Sequence, residues 1–155
     1  MRKQSAVVAR ILKLGTLIST FGFIGSTLIQ IFARFLLESA PSWTEEAARF
    51  FFIYAICFAA GLAMKDNYYV YLDLVYNKLK ESQKKILDLA ISFFNLILFL
   101  VLGIYAIPFV MMAVTEKSPS LRMSMSLAFA SIVVMALSVG FYAFLSLLKK
   151  LRKHQ

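Results

Sequence analysis

The sequence predicts an all-α integral membrane protein with four transmembrane helices. An amphipathic interfacial helix lies between spans two and three, and both termini are cytoplasmic. Three observations predict this. Apolar residues make up 61% of the 155 and charged residues only 16%, with a mean hydropathy of +0.77. An average soluble domain is roughly 45–50% apolar and roughly 25% charged. A globule of 17.5 kDa lacks the interior to hide that excess, so the excess faces lipid. The uncharged residues fall in four long runs, and most basic residues lie in the segments that an even number of spans puts on one side.

The first run, 14–33, is 20 residues long. The basic residues before it, Arg2, Lys3, Arg10 and Lys13, would suit a signal peptide. The run is too long for an ordinary signal core and no Ala-x-Ala site follows, so it reads as an uncleaved span. The second run, 50–64, has 15 residues, and it reaches Ala47 if Arg49 is admitted at the membrane edge. The third, 89–115, has 27 and the fourth, 123–148, has 26. A spanning helix needs about 20. The spans are expected at about 14–36, 44–64, 87–114 and 123–148, in one membrane domain covering 1–155. Four spans use about 88 residues, which leaves no room for a soluble catalytic domain.

Lys and Arg set the orientation. Thirteen of the seventeen lie in the two tails and the middle loop, including Lys65, Lys78, Lys80, Lys84 and Lys85 in that loop. Arg34, Arg49, Lys117 and Arg122 remain for the other side. The positive-inside rule therefore puts both termini and the middle loop in the cytoplasm, and the connectors 34–46 and 116–122 outside. This placement also explains the net charge of +9 without nucleic acid.

Two segments read as interfacial. Val7, Val8, Ile11 and Leu12 share a helical face, with Arg10 and Lys13 off it. At about 67–80, Tyr68, Leu72, Val75, Tyr76 and Leu79 share another, opposite Asp73, Asn77 and Lys80. Tyr68, Tyr71 and Tyr76 are the expected headgroup anchors, and a plain polar loop is the alternative.

No catalytic, cofactor-binding or metal-binding residues are predicted. One Cys, Cys57, cannot form an internal disulfide, and one His, His154, cannot build a haem or zinc centre. No Asp, Glu, Lys or His lies near the middle of a span, where a secondary transporter usually buries ionisable groups. Asn95, beside Ser92, is the strongest polar group at depth, and Pro108 either kinks span three or is an ordinary membrane-helix proline. Small residues at four-residue spacing, Gly15/Ser19, Gly22/Ser26, Ala59/Ala63 and Ala136/Gly140, allow close helix approach and are compatible with an intramembrane partner.

The sharpest local feature runs from Pro41 to Phe50. Ser42 and Glu45 have the spacing of a capping box. Glu45 and Glu46 lie at the positive end of the helix dipole, Glu45 and Arg49 are four apart, and Trp43 suits the aromatic belt. A capped helix start explains the minimum. The second acid and the arginine suggest a polar contact with another part of an assembly.

Arg34-Phe35, Pro41-x-Trp43-x-Glu45-Glu46-x-x-Arg49-Phe50, Gly61-x-Ala63-x-Lys65 and Leu72-Asp73 together resemble the small membrane subunit, of DctQ type, of tripartite ATP-independent periplasmic (TRAP) transporters. Lys65 and Tyr69 stand where the family often has Arg and then His, and 118–121 matches the family's outer connector only in part. The resemblance implies a bacterial inner-membrane protein that is not an enzyme. Its implied partners are a large membrane subunit holding the solute and sodium sites, a periplasmic substrate-binding protein, and membrane lipid. The solute would be a C4-dicarboxylate, keto acid or sialic acid. Arg34, Trp43, Glu45, Glu46, Arg49 and Asp73 become the expected interface or structural residues. The alternatives are a stand-alone four-span exporter, for which span one lacks the necessary carboxylate, and a non-transport assembly module.

Overall fold

The computed structural model describes residues 2–36, 41–66 and 79–152. They form four helices: α1 (Arg2–Leu36), α2 (Ser42–Asp66), α3 (Glu81–Met112) and α4 (Met125–Arg152). Each is long and apolar enough to cross a membrane. The fold is all-α, as the sequence predicts. The expected interfacial helix, with Tyr68, Tyr71, Asp73 and Tyr76, lies outside the described residues except for positions 79 and 80, which are not helical.

The helices pack in a row rather than a closed bundle. The main contacts join α1 to α2, α2 to α4, and α4 to α3. Seven-residue spacing, the period of two helices in knobs-into-holes contact, explains each seam. On α1, Leu12, Ser19, Ser26 and Ala33 are buried. Between them lie Gly15 and Gly22, whose missing Cβ atoms leave room for the rings of Phe58 and Phe51 on antiparallel α2. A Cβ at Gly22 would sit 2.7 Å from the Phe51 ring.

The opposite seam of α2 meets α4. A Cβ on Gly61 would lie 2.7 Å from Ser138 and 2.9 Å from Leu12. The Tyr54 hydroxyl donates to the Leu127 carbonyl at 2.6 Å. Small residues thus bring three helices together around Leu12, Met64, Val139, Tyr142 and Ala143. The glycine and serine pairs of α1 are consumed inside the chain and are not left for another protein. Gly140, in contrast, has open space around it.

Hydroxyls within these seams are satisfied locally, as a lipid environment demands. Thr16 bonds the Leu12 carbonyl, Ser131 the Ala128 carbonyl and Ser138 the Met135 carbonyl. Among the described residues, every buried side-chain nitrogen or oxygen has a partner.

One expectation needs correction. The segment 7–13 is not a surface-lying piece but the first turns of continuous α1. Leu12 enters the core with Val8 against it, while Val7 and Ile11 stay exposed. The Tyr142 hydroxyl donates to the Ser5 carbonyl at 2.9 Å and fastens this end of α1 to α4. Packing against α2 and α4 buries part of a face that periodicity alone assigns to the headgroups.

Pro108 stays inside α3. At the start of α3, the Lys80 amide donates to Gln83 Oε1 at 3.0 Å. Lys150 of α4 donates to the Asp88 carbonyl and to Ser92 Oγ, both at 2.8 Å, which pins the two helices at this end.

Candidate functional site

A side-chain carboxylate organises a connector where α2 begins and the segment 113–124 joins α3 to α4. Local sequence explains the helix start. Pro41 has no N–H to leave unpaired, and its carbonyl accepts from the Thr44 amide at 3.0 Å and from Thr44 Oγ1 at 2.7 Å. Thr44 is fully buried. The Ser42–Glu45 capping box does not form. The helix already includes Ser42, and Glu45 turns down the helix to Arg49 at 2.6 Å. That pair is exposed, at 62% and 69% of the two side chains. Trp43 is also exposed.

Glu46 points the other way. Its carboxylate accepts from Ser118 Oγ at 2.9 Å, the Ser120 amide at 3.0 Å and the Leu121 amide at 2.7 Å. Hydrogen bonds to an ionised acceptor are stronger than neutral ones, so the carboxylate organises the connector. The connector closes on itself as well. Lys117 and Ser124 form an antiparallel bridge. The Ser118 amide donates to the Met123 carbonyl at 2.8 Å and the Arg122 amide to the Ser118 carbonyl at 3.2 Å. Ser124 Oγ reaches the carbonyls of Ala113 and Val114. Arg122 has φ of 52°, in the left-handed region.

Beneath this hairpin is a cavity of about 430 Å³, lined by Glu46, Arg49, Phe50, Ile53, Leu121 and Phe129 among others. A second, of about 410 Å³, lies between α3 and α4 near Gly103 and Gly140 and is wholly apolar. It offers no partner for a carboxylate. A third, of about 310 Å³, lies beside Gln30, Arg34 and Phe35 on α1. Arg34 is exposed and forms no ion pair with Glu45 or Glu46 among the described residues. Of the expected site residues, the structure brings Glu45, Glu46 and Arg49 together at the helix start. Asp73 lies outside the described residues.

The role of Glu46 is one that sequence reading missed. Its only signal was the run Ser118-Pro119-Ser120, whose hydroxyl and amide, with the Leu121 amide, supply the donors. The described residues include no group of three or more His, Cys, Asp or Glu that could hold a metal ion. Such an arrangement can stiffen a surface and present it.

These features define a multi-pass helical membrane protein. The family model for the DctQ component of tripartite ATP-independent periplasmic transporters matches residues 23–153. The chain belongs to that family. It is also similar to a Haemophilus influenzae protein whose name assigns it to the TRAP transporter small permeases. The identity is 27% over 116 residues, covering 75% of this chain and 70% of the relative. Membership in a family of transporter subunits points away from an enzyme.

Proposed function

We propose that this chain is the small, non-transporting membrane subunit of a TRAP transporter in a bacterial inner membrane. It braces a larger membrane subunit that carries the solute, and a soluble binding protein delivers that solute from outside. The solute is a carboxylated one of the C4-dicarboxylate, keto acid or sialic acid class, and uptake is driven by a sodium gradient. The observation that carries the reading is the absence of charge at mid-span in a chain of this family. Every apolar run lacks Asp, Glu, Lys, Arg and His through its centre, so the coupling chemistry belongs to a partner. The open row supports the same reading. Its outer helices α1 and α3 leave Ile18, Phe21, Phe32, Phe94, Ile104 and Met111 exposed, which is surface for lipid and for a partner's helices.

Both termini and the Lys-rich middle loop face the cytoplasm in this reading, with Pro41–Glu46 and the connector 113–124 outside. The test is co-expression with the adjacent large membrane subunit and purification through a tag on this chain. The two subunits should elute together at a fixed ratio. Elution of this chain alone, in a folded state, would remove the scaffold role.

A further inference from the structure

We infer that the apolar slot between α3 and α4, with Asn95 at its end, seats a transmembrane helix of another chain, and that this helix carries a hydroxyl or carboxamide at the depth of Asn95. The inference rests on the proposed function, within which that chain is the large membrane subunit. It adds the face of this chain that is used and the side chain that anchors it.

Asn95 stands eight positions inside the span expected from position 87, so about 12 Å of helix separates it from the membrane edge. The hydrocarbon core is about 30 Å thick, which puts the amide near its middle. A carboxamide is too short to reach water from there, as a lysine does. Thr16, Thr27, Ser92, Ser131 and Ser138 meet the same problem locally, each donating to a carbonyl of its own helix. Asn95 is half-buried and makes no side-chain hydrogen bond among the described residues.

Its own helix cannot complete it. A helix interior has spare carbonyl lone pairs but no free N–H, so the amide oxygen has no donor there. The donor that α4 brings to this part of α3, Lys150, is turned to the Asp88 carbonyl and to Ser92 Oγ instead. In lipid, the remaining source of a donor is a side chain on another helix.

The slot shows where that helix lies. Asn95, Phe99, Gly103 and Ile107 follow one another at four-residue spacing along one side of α3. The last three line the slot of about 410 Å³. Across it, a Cβ on Gly140 would have nothing within 4 Å, whereas the space at Gly15 and Gly22 is taken by Phe58 and Phe51 of this chain. Close approach past small residues, tied by one polar side chain, is how membrane helices associate. A lipid tail fills such a slot but offers no donor to the Asn95 oxygen. Within the proposed function the large subunit is the membrane chain that accompanies this one, which favours it over a second copy.

Two variants separate the amide from the slot. Asn95→Leu removes the amide at similar size, and Gly140→Leu fills the slot from α4 and keeps the amide. Each is co-expressed with the large subunit, purified through a tag on this chain and diluted in detergent. Asn95→Leu should lower the share of large subunit retained about three- to tenfold, the range of a hydrogen bond between membrane helices. Gly140→Leu should lower it as well, and Asn95→Gln should restore part of the loss. Each variant chain alone should unfold at the same temperature as the unaltered chain or higher, since neither group is used within it. A photoreactive leucine analogue in place of Ile104, which is exposed and lines the slot, should cross-link to the large subunit. Unchanged retention in either Leu variant would overturn the proposal. So would cross-linking only to lipid or to a second copy, or a loss of retention matched by unfolding of the chain alone. No co-elution of the unaltered subunits would sink the proposed function along with the inference. Co-elution that ignores these variants would sink the inference alone.

Discussion

The Leu121 amide donates to the Glu46 carboxylate at 2.7 Å, across 75 positions of sequence. With the Ser118 hydroxyl and the Ser120 amide it makes the first turn of α2 the platform on which the α3–α4 connector rests.

Glu46→Ala should therefore loosen the connector while leaving the helices in place. Hydrogen exchange at the Ser120 and Leu121 amides should speed up several-fold, with little change in α2 beyond its first turn. Glu46→Gln keeps one acceptor oxygen and should fall between the two. Equal exchange in all three proteins would mean that the connector holds itself.

Glycines in the seams should respond according to what surrounds them. Alanine at Gly22 would meet the Phe51 ring at 2.7 Å, and at Gly61 it would meet Ser138 at 2.7 Å. Each should lower stability in detergent by about 1–3 kcal/mol, the usual cost of overpacking. Gly25 has nothing within 4 Å. Gly25→Ala should be neutral or stabilising by up to about 1 kcal/mol through helix propensity. The check is thermal unfolding of the three variants side by side. A Gly25 variant as damaged as the others would contradict the packing.

Arg49 separates the chain from its assembly. Its bond to Glu45 is an exposed i, i+4 pair, worth about 0.3–0.5 kcal/mol. Arg49→Ala should scarcely change the isolated chain. In the complex, Arg49→Ala should reduce co-purification or uptake, since the arginine also lines the cavity under the connector. Normal assembly and uptake would leave it only the local pair.

Much of this fold was legible because hydrophobicity in a membrane protein is written in long runs. The four helices and their order followed from runs and charge alone. The seams were less legible. Gly15, Gly22 and Gly61 lie in helices that are apolar all round, so periodicity does not say which face meets another helix and which meets lipid. The Glu45–Arg49 pair was readable from its spacing, because i and i+4 are neighbours on any helix. Glu46 was not, since its partners are backbone amides 74 and 75 positions away. The Ser42 cap was misread for a related reason. Pro41 accepts from Thr44, and local spacing does not show which oxygen wins.

Orientation has its own test. Cys57 is the single cysteine and is buried, so a Cys57→Ala background suits labelling. In intact cells a membrane-impermeant reagent should label Ser42→Cys and leave Lys80→Cys untouched. Labelling of Lys80→Cys from outside would invert the topology.

The central claim is that this chain completes a transporter without moving solute itself. Vesicles under an inward sodium gradient test it, with a labelled carboxylated solute and its binding protein outside. Vesicles holding both membrane subunits should accumulate solute, and vesicles holding this chain alone should match empty ones. Gradient-driven uptake by this chain alone would contradict the account.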